Sequence, residues 1–189
     1  MLYQIQAITN PRLKAEVGEI GLIPTTEIPF GIPGCSYATA PFTHLAQEGS
    51  RFSHGRYGVL YIADKIDTAL AEVRHHQEAY WRNLPDLSYD RFVFRGLLCH
   101  FNEDGLIDCL TVPKEDPIYA PDDYHASREL GEAAKAANAP GLRYHSVRHP
   151  GAVCWGLMTP RPVTSIVQTA HYEMVWNGSI SAISHLSYP

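Results

Sequence analysis

The sequence is poor in the features that most quickly place a chain in a functional class. Its 189 residues contain 4 cysteines, Cys35, Cys99, Cys109 and Cys154, spread out with no C-x-x-C pair. A zinc ribbon or a redox dithiol needs closely paired thiols, so neither is expected, and the cysteines read as small buried hydrophobes. Cationic excess is also lacking: 15 Lys and Arg stand against 20 Asp and Glu, a net charge of −5. Binding a phosphate backbone needs a basic face, so direct nucleic-acid binding is not expected. There is no apolar run of about 18 residues, so no membrane span is expected. The start, Met-Leu-Tyr-Gln-Ile-Gln, lacks the basic region and apolar block of a secretory signal. A cytoplasmic location is the resulting expectation. G-x-G-x-x-G, G-x-x-x-x-G-K-[ST], H-E-x-x-H and G-x-S-x-G are all missing.

What is present is an ordinary globular composition, 45% apolar and 19% charged. A chain of this length buries roughly 70% of its unfolded surface, enough for one self-supporting domain over residues 1–189. Residues 1–23 read as an opening strand or helix piece. Residues 23–42 hold Pro24, Pro29, Gly31, Pro33, Gly34 and Pro41, which predicts an irregular surface segment. Val59–Ala63 is apolar on both faces and predicts a central strand. Ile66, Leu70, Val73 and Tyr80 fall at helical spacing behind Asp67 as N-cap, with Pro85 past the end near Trp81. Residues 91–101 predict a long strand, and Asn102–Gly105 a turn into a hairpin partner at Leu106–Leu110. A second helix is expected over Tyr124–Asn138, then short strands at Leu142–His145 and Ala152–Met158. Two more follow at Thr164–Gln168 and Tyr172–Trp176, and Asn177-Gly178 is a hairpin signal. Only one βα step is clear, so the expected class is α+β, a mixed or antiparallel core flanked by helices.

The 10 histidines invite a metal reading. His75 and His76 are adjacent, about 100° apart on a helix, and chelate poorly as a pair. His145 and His149 lie four apart, but Pro150 and Gly151 argue against a helix there. No metal is expected, although a metal-dependent hydrolase built on His145 and His149 stays open as an alternative. No motif surrounds any cysteine as a nucleophile.

The most informative stretch is Gly49-Ser-Arg-Phe-Ser-His-Gly-Arg-Tyr-Gly-Val-Leu-Tyr-Ile-Ala63, with Thr68-Ala-Leu-Ala-Glu72 soon after. It sets an arginine in a Gly-rich turn, a tyrosine in an apolar strand and a glutamate in the next helix. Gly141-Leu-Arg-Tyr-His-Ser146 then places a serine just after a short strand. This order resembles the RES domain, named for its arginine, glutamate and serine, over about residues 45–160. Arg51, Tyr61, Glu72 and Ser146 match its positions one by one. Gly-Ser stands for the usual Gly-Gly before Arg51, Phe52 for a tryptophan, and Val-Arg-His-Pro after Ser146 is atypical.

The resemblance implies a fold related to ADP-ribosyltransferases and the consumption of NAD as substrate. It implies the toxin of a toxin–antitoxin pair, with a helical DNA-binding (Xre-like) antitoxin covering the active site. ADP-ribose passes to a protein, to phosphate or to water, and for a protein acceptor the Pro-rich segment 24–42 is a candidate docking surface.

These residue types suit that chemistry. Breaking the nicotinamide–ribose bond builds positive charge on the sugar, and Glu72 is the candidate carboxylate to stabilise it. Arg51 offers a permanent planar charge for the pyrophosphate, and Tyr61 a face for nicotinamide. Ser146 either bonds the substrate or holds Glu72. His54 and Arg56, in the same turn, are candidate phosphate contacts. Taken singly, each residue has an ordinary reading: Glu72 sits roughly 120° from the centre of its helix's apolar face, like many solvated carboxylates. A non-catalytic nucleotide-binding module is the second alternative.

Overall fold

A computed structural model describes residues 18–186 of the chain. The expected opening element falls mainly on residues 1–17, outside the described residues; beyond it, Ile20–Leu22 is a short 3-10 turn. The class is α+β, as expected. The described residues form three α-helices, α1 (Cys35–Thr43), α2 (Ile66–Arg82) and α3 (His125–Ala136). Seven strands accompany them: β1 (Leu60–Ala63), β2 (Asp90–Phe101), β3 (Ile107–Asp108), β4 (Gly141–His145), β5 (Val153–Leu157), β6 (Val163–Trp176) and β7 (Ile180–Leu186).

The strands build two sheets. One has the order β1-β5-β4-β3, antiparallel except where β3 runs parallel to β4. The other, β2-β6-β7, is antiparallel throughout. Asn177-Gly178 makes the expected β6–β7 hairpin, with Gly178 at φ +92°, a conformation glycine adopts without steric cost.

Five local expectations are corrected. β1 is an edge strand, not a central one. Its two apolar faces have another cause: Leu60 and Ile62 pack into the core between the sheets, while Tyr61 faces a cavity. The segment at 106–110 does not pair back on β2. Its short strand β3 joins β4 instead, a non-local pairing that a two-residue strand cannot signal. The two tail strands expected at 164–168 and 172–176 are one continuous β6. The irregular segment at 23–42 ends in α1. Gly34, left-handed at φ 73°, opens that helix, and Pro41 lies inside it. Burial of Ala38 and Phe42 holds the helix despite the lost backbone donor. The expected N-cap Asp67 lies instead in the first turn of α2, behind an extended Lys65, where a negative charge still suits the helix dipole.

Three apolar clusters fix these layers. The first, around Phe52, Leu142, Tyr144 and Met158, lies between the four-stranded sheet and α3. α3 comes close because Gly131 has no side chain; a Cβ there would stand 2.0 Å from the Phe52 carbonyl oxygen. The second, with Ala38, Leu157, Val163 and Ile166, joins α1 to both sheets. The third seats Trp81 of α2 on Met174, Trp176 and Ile180 of the three-stranded sheet.

Candidate functional site

β1, the turn before it and α2 enclose a cavity of about 230 Å³. The turn supplies Arg51. Gly49 shapes it at φ +78°, where a Cβ would come 2.3 Å from the Ser53 carbonyl oxygen. Strand β1 supplies Tyr61. Helix α2 supplies a stripe at Ala69, Glu72, Val73 and His76, the i, i+3, i+4, i+7 spacing of one helix face. Glu72 lies off the helix's main apolar face because this second face is the cavity wall. Arg51, Tyr61 and Glu72 therefore share one enclosed space.

Arg51 is only 7% exposed. One terminal nitrogen, Nη1, donates to the carbonyls of Ala120 (3.0 Å) and Ile118 (3.2 Å). The guanidinium also lies 4.6 Å from the centre of the Tyr124 ring. No carboxylate pairs with it among the described residues, and the rest of its fork has no protein acceptor there. A buried, unneutralised cation on a cavity wall can seat an anion.

Ser146 stands behind Glu72. Its Oγ accepts the backbone N–H groups of His149 (3.0 Å) and Arg148 (3.3 Å), which leaves its one hydrogen to be donated to Glu72 Oε1 at 2.7 Å. The same loop bonds α2 one turn earlier: Thr68 Oγ1 donates to Asp64 at 2.8 Å and lies 3.0 Å from His149 Nδ1. The carboxylate is thus held by a hydrogen-bonded loop rather than left to rotate.

Tyr61 is 39% exposed, its ring forming part of the wall and its hydroxyl held by two hydrogen bonds. The hydroxyl oxygen accepts the Phe52 N–H at 3.0 Å and the hydroxyl donates to Ser50 Oγ at 2.8 Å. Burial pushes its pKa up to about 12, so the phenol is neutral at physiological pH.

Residues 28–177 match the family model of the RES domain. The chain belongs to the RES-domain family. The match includes Arg51, Tyr61 and Glu72 of the cavity, Ser146 behind Glu72, and both sheets up to the end of β6. A relative from Sinorhizobium fredii (strain NBRC 101917 / NGR234), described as "Uncharacterized protein y4oC", is 28% identical over 179 residues. The alignment covers 94% of this chain and 72% of that protein.

Within this RES domain, His54 and Arg56 do not reach the cavity wall. His54 is exposed, and the Arg56 side chain, 72% exposed, pairs with Glu132 of α3 at 3.0 Å. The Gly-rich turn reverses between Arg51 and Tyr57, so neighbours in sequence face opposite ways. His145 and His149 are also separated in role: His145 Nε2 lies 3.3 Å from the Leu110 carbonyl, while His149 faces Thr68. No group of three metal-binding side chains occurs among the described residues. Nor is any helix there long and apolar enough to cross a membrane.

Ser50, Tyr144, Cys154, His76 and Gln77 line the site without the sequence having given them a place there. Tyr144 was readable, because Leu142, Tyr144 and Ser146 alternate onto the buried face of β4 and its continuation. Cys154 opposes Tyr144 across the β4–β5 pair. Burial pushes its thiol up to about 12, so it is no thiolate nucleophile at neutral pH.

Proposed function

We propose that this RES protein cleaves the nicotinamide–ribose bond of NAD and acts as the toxin of a toxin–antitoxin pair. One observation carries the reading. An arginine with no carboxylate partner and a glutamate anchored by a serine face the same cavity, beside an aromatic ring. The cavity is smaller than the roughly 300–1,000 Å³ usual for whole ligands, which suits the nicotinamide riboside half of a dinucleotide.

In this reading Arg51 grips the pyrophosphate and Tyr61 stacks on the nicotinamide ring. The C–N bond breaks with its electron pair leaving on nicotinamide, which departs neutral. Positive charge on the ribose is met by Glu72, held in place by Ser146. An acceptor oxygen then bonds to the sugar carbon and loses its proton. That acceptor is a protein side chain, phosphate or water. NAD is substrate rather than resident cofactor, and no metal enters the scheme. A DNA-binding antitoxin that covers the cavity mouth would keep the toxin silent.

The test is to incubate the purified protein with NAD and measure nicotinamide release, with and without phosphate and with labelled NAD plus lysate. Release is expected, and the three arms identify the acceptor. Saturable NAD binding with no release would instead favour the binding-module alternative. Activity abolished by a chelator would favour the metal-dependent one.

A further inference from the structure

Ser50 carries a hydroxyl hydrogen in the cavity wall that no protein group accepts. Its backbone is fixed at both polar groups: the N–H donates to the Ser53 carbonyl at 2.8 Å, and its carbonyl accepts from Arg128 Nε at 2.9 Å. The side chain is left facing the cavity with Tyr61. Between the two hydroxyls, the phenol is the stronger acid and so the donor; its oxygen is already engaged by the Phe52 N–H. Tyr61 therefore donates into Ser50 Oγ at 2.8 Å, and the Ser50 hydrogen has no acceptor among the described residues. The result is a directed chain from Phe52 N–H through the Tyr61 hydroxyl to the Ser50 hydroxyl. Each bond polarises the next, which makes the last O–H a better donor than an isolated serine.

We infer that Ser50 is a specificity-determining residue whose hydroxyl donates to the carboxamide carbonyl of the base stacked on Tyr61. The inference rests on the NAD reading given above and deepens it. Ser50 Oγ lies just beyond the phenol oxygen, at the rim of the Tyr61 ring. A planar base laid on that ring brings a substituent in its own plane within reach of the rim. A neutral O–H suits a neutral carbonyl, whereas the phosphates already have the Arg51 guanidinium. Tyr61 thus acts twice, through its ring directly and through its hydroxyl by way of Ser50.

The experiment compares wild type, Ser50→Ala, Ser50→Thr, Tyr61→Phe and the Ser50→Ala/Tyr61→Phe double variant, each first checked for an unchanged melting temperature. Binding is measured by calorimetry with NAD, with its 3-acetylpyridine analogue, which keeps the carbonyl but loses the amide N–H, and with ADP-ribose, which has no base. Loss of one such hydrogen bond is expected to weaken NAD binding about tenfold in Ser50→Ala. ADP-ribose affinity should not change, and Ser50→Thr should restore NAD binding. The acetylpyridine analogue should bind wild type as NAD does. Tyr61→Phe should weaken NAD binding, and the double variant should be no weaker than the weaker single variant, because the two hydroxyls act in series. Equal weakening of ADP-ribose, additive losses or an unaffected Ser50→Ala each overturn the inference. Wild type that neither binds nor cleaves NAD overturns the underlying reading, a result separate from these.

Discussion

At its C-terminal end, α2 lays Trp81 flat on Phe92, with ring centroids 3.8 Å apart, and edge-on to Trp176 at 5.9 Å. At its N-terminal end the same helix meets a polar loop, through Thr68 to His149 and Asp64 and through Glu72 to Ser146. The aromatic end supplies burial, which is non-directional and large. The polar end supplies direction, since each hydrogen bond fixes an angle but adds only about 1 kcal/mol net. A helix clamped by rings at one end can hold a carboxylate at a defined point at the other. Stability and chemistry therefore separate along one element, and substitutions can test that separation.

The largest effect is expected at the aromatic end. Trp81→Ala should destabilise the fold by about 3–5 kcal/mol through lost burial and a cavity, read as a lower urea midpoint. Any activity lost should follow the unfolded fraction. Glu72→Gln should do the reverse: nicotinamide release falls about 10²–10³-fold or more while the urea midpoint stays put. A stable, fully active Glu72→Gln protein would show that the polar end of α2 holds no reacting group. Ser146→Ala frees the carboxylate without removing it, so a smaller loss of about tenfold in turnover is expected, with little change in KM.

A smaller effect should come from alkali, at the cavity wall and the apolar cluster beneath it. Tyr57 and Tyr61 are each pushed up to about 12, chiefly by burial, and Tyr144 lies well above its ordinary value for the same reason. The folded chain keeps these protons after the unfolded chain has begun to lose them near pH 10. The stability these tyrosines contribute is therefore fully present below about pH 10 and falls as pH rises through the folded values. Urea midpoints should fall further from pH 10 to 12, beyond the smaller decline that burial of the Cys99 and Cys154 thiols causes from about pH 9; no further fall above pH 10 would contradict the packing of these hydroxyls. The smallest effect is expected from Arg56→Ala. Its exposed pair with Glu132 should contribute under about 1 kcal/mol, and nicotinamide release should be unchanged.

Much of this was legible in the sequence because it depends on local pattern. α2, α3, β2, β4 and β5 follow from periodicity and breakers, and the β6–β7 hairpin from Asn177-Gly178. The four matched residues were legible from their order: a turn, a strand and a helix bring Arg51, Tyr61 and Glu72 to one cavity, and the loop after β4 brings Ser146 behind Glu72. The missed features depend on partners far along the chain. Whether β1 is central or at an edge depends on β5, some 90 residues away. Proline and glycine mark α1 as irregular, and only packing against β6 and β1 outweighs them. Ser50 looked like a plain turn residue until Tyr61, 11 positions later, folded its hydroxyl onto it. Arg56 resembled a phosphate ligand by proximity to Arg51, but the turn carries it to α3 instead.

If the chain transfers ADP-ribose as proposed, the bonding around Ser146 limits where it could label itself. Its oxygen accepts two backbone N–H groups and its single hydrogen goes to Glu72. No lone pair is left to attack a sugar carbon. Although it is the hydroxyl nearest the carboxylate, Ser146 is closed to self-ADP-ribosylation, and any automodified residue must come from elsewhere on the surface.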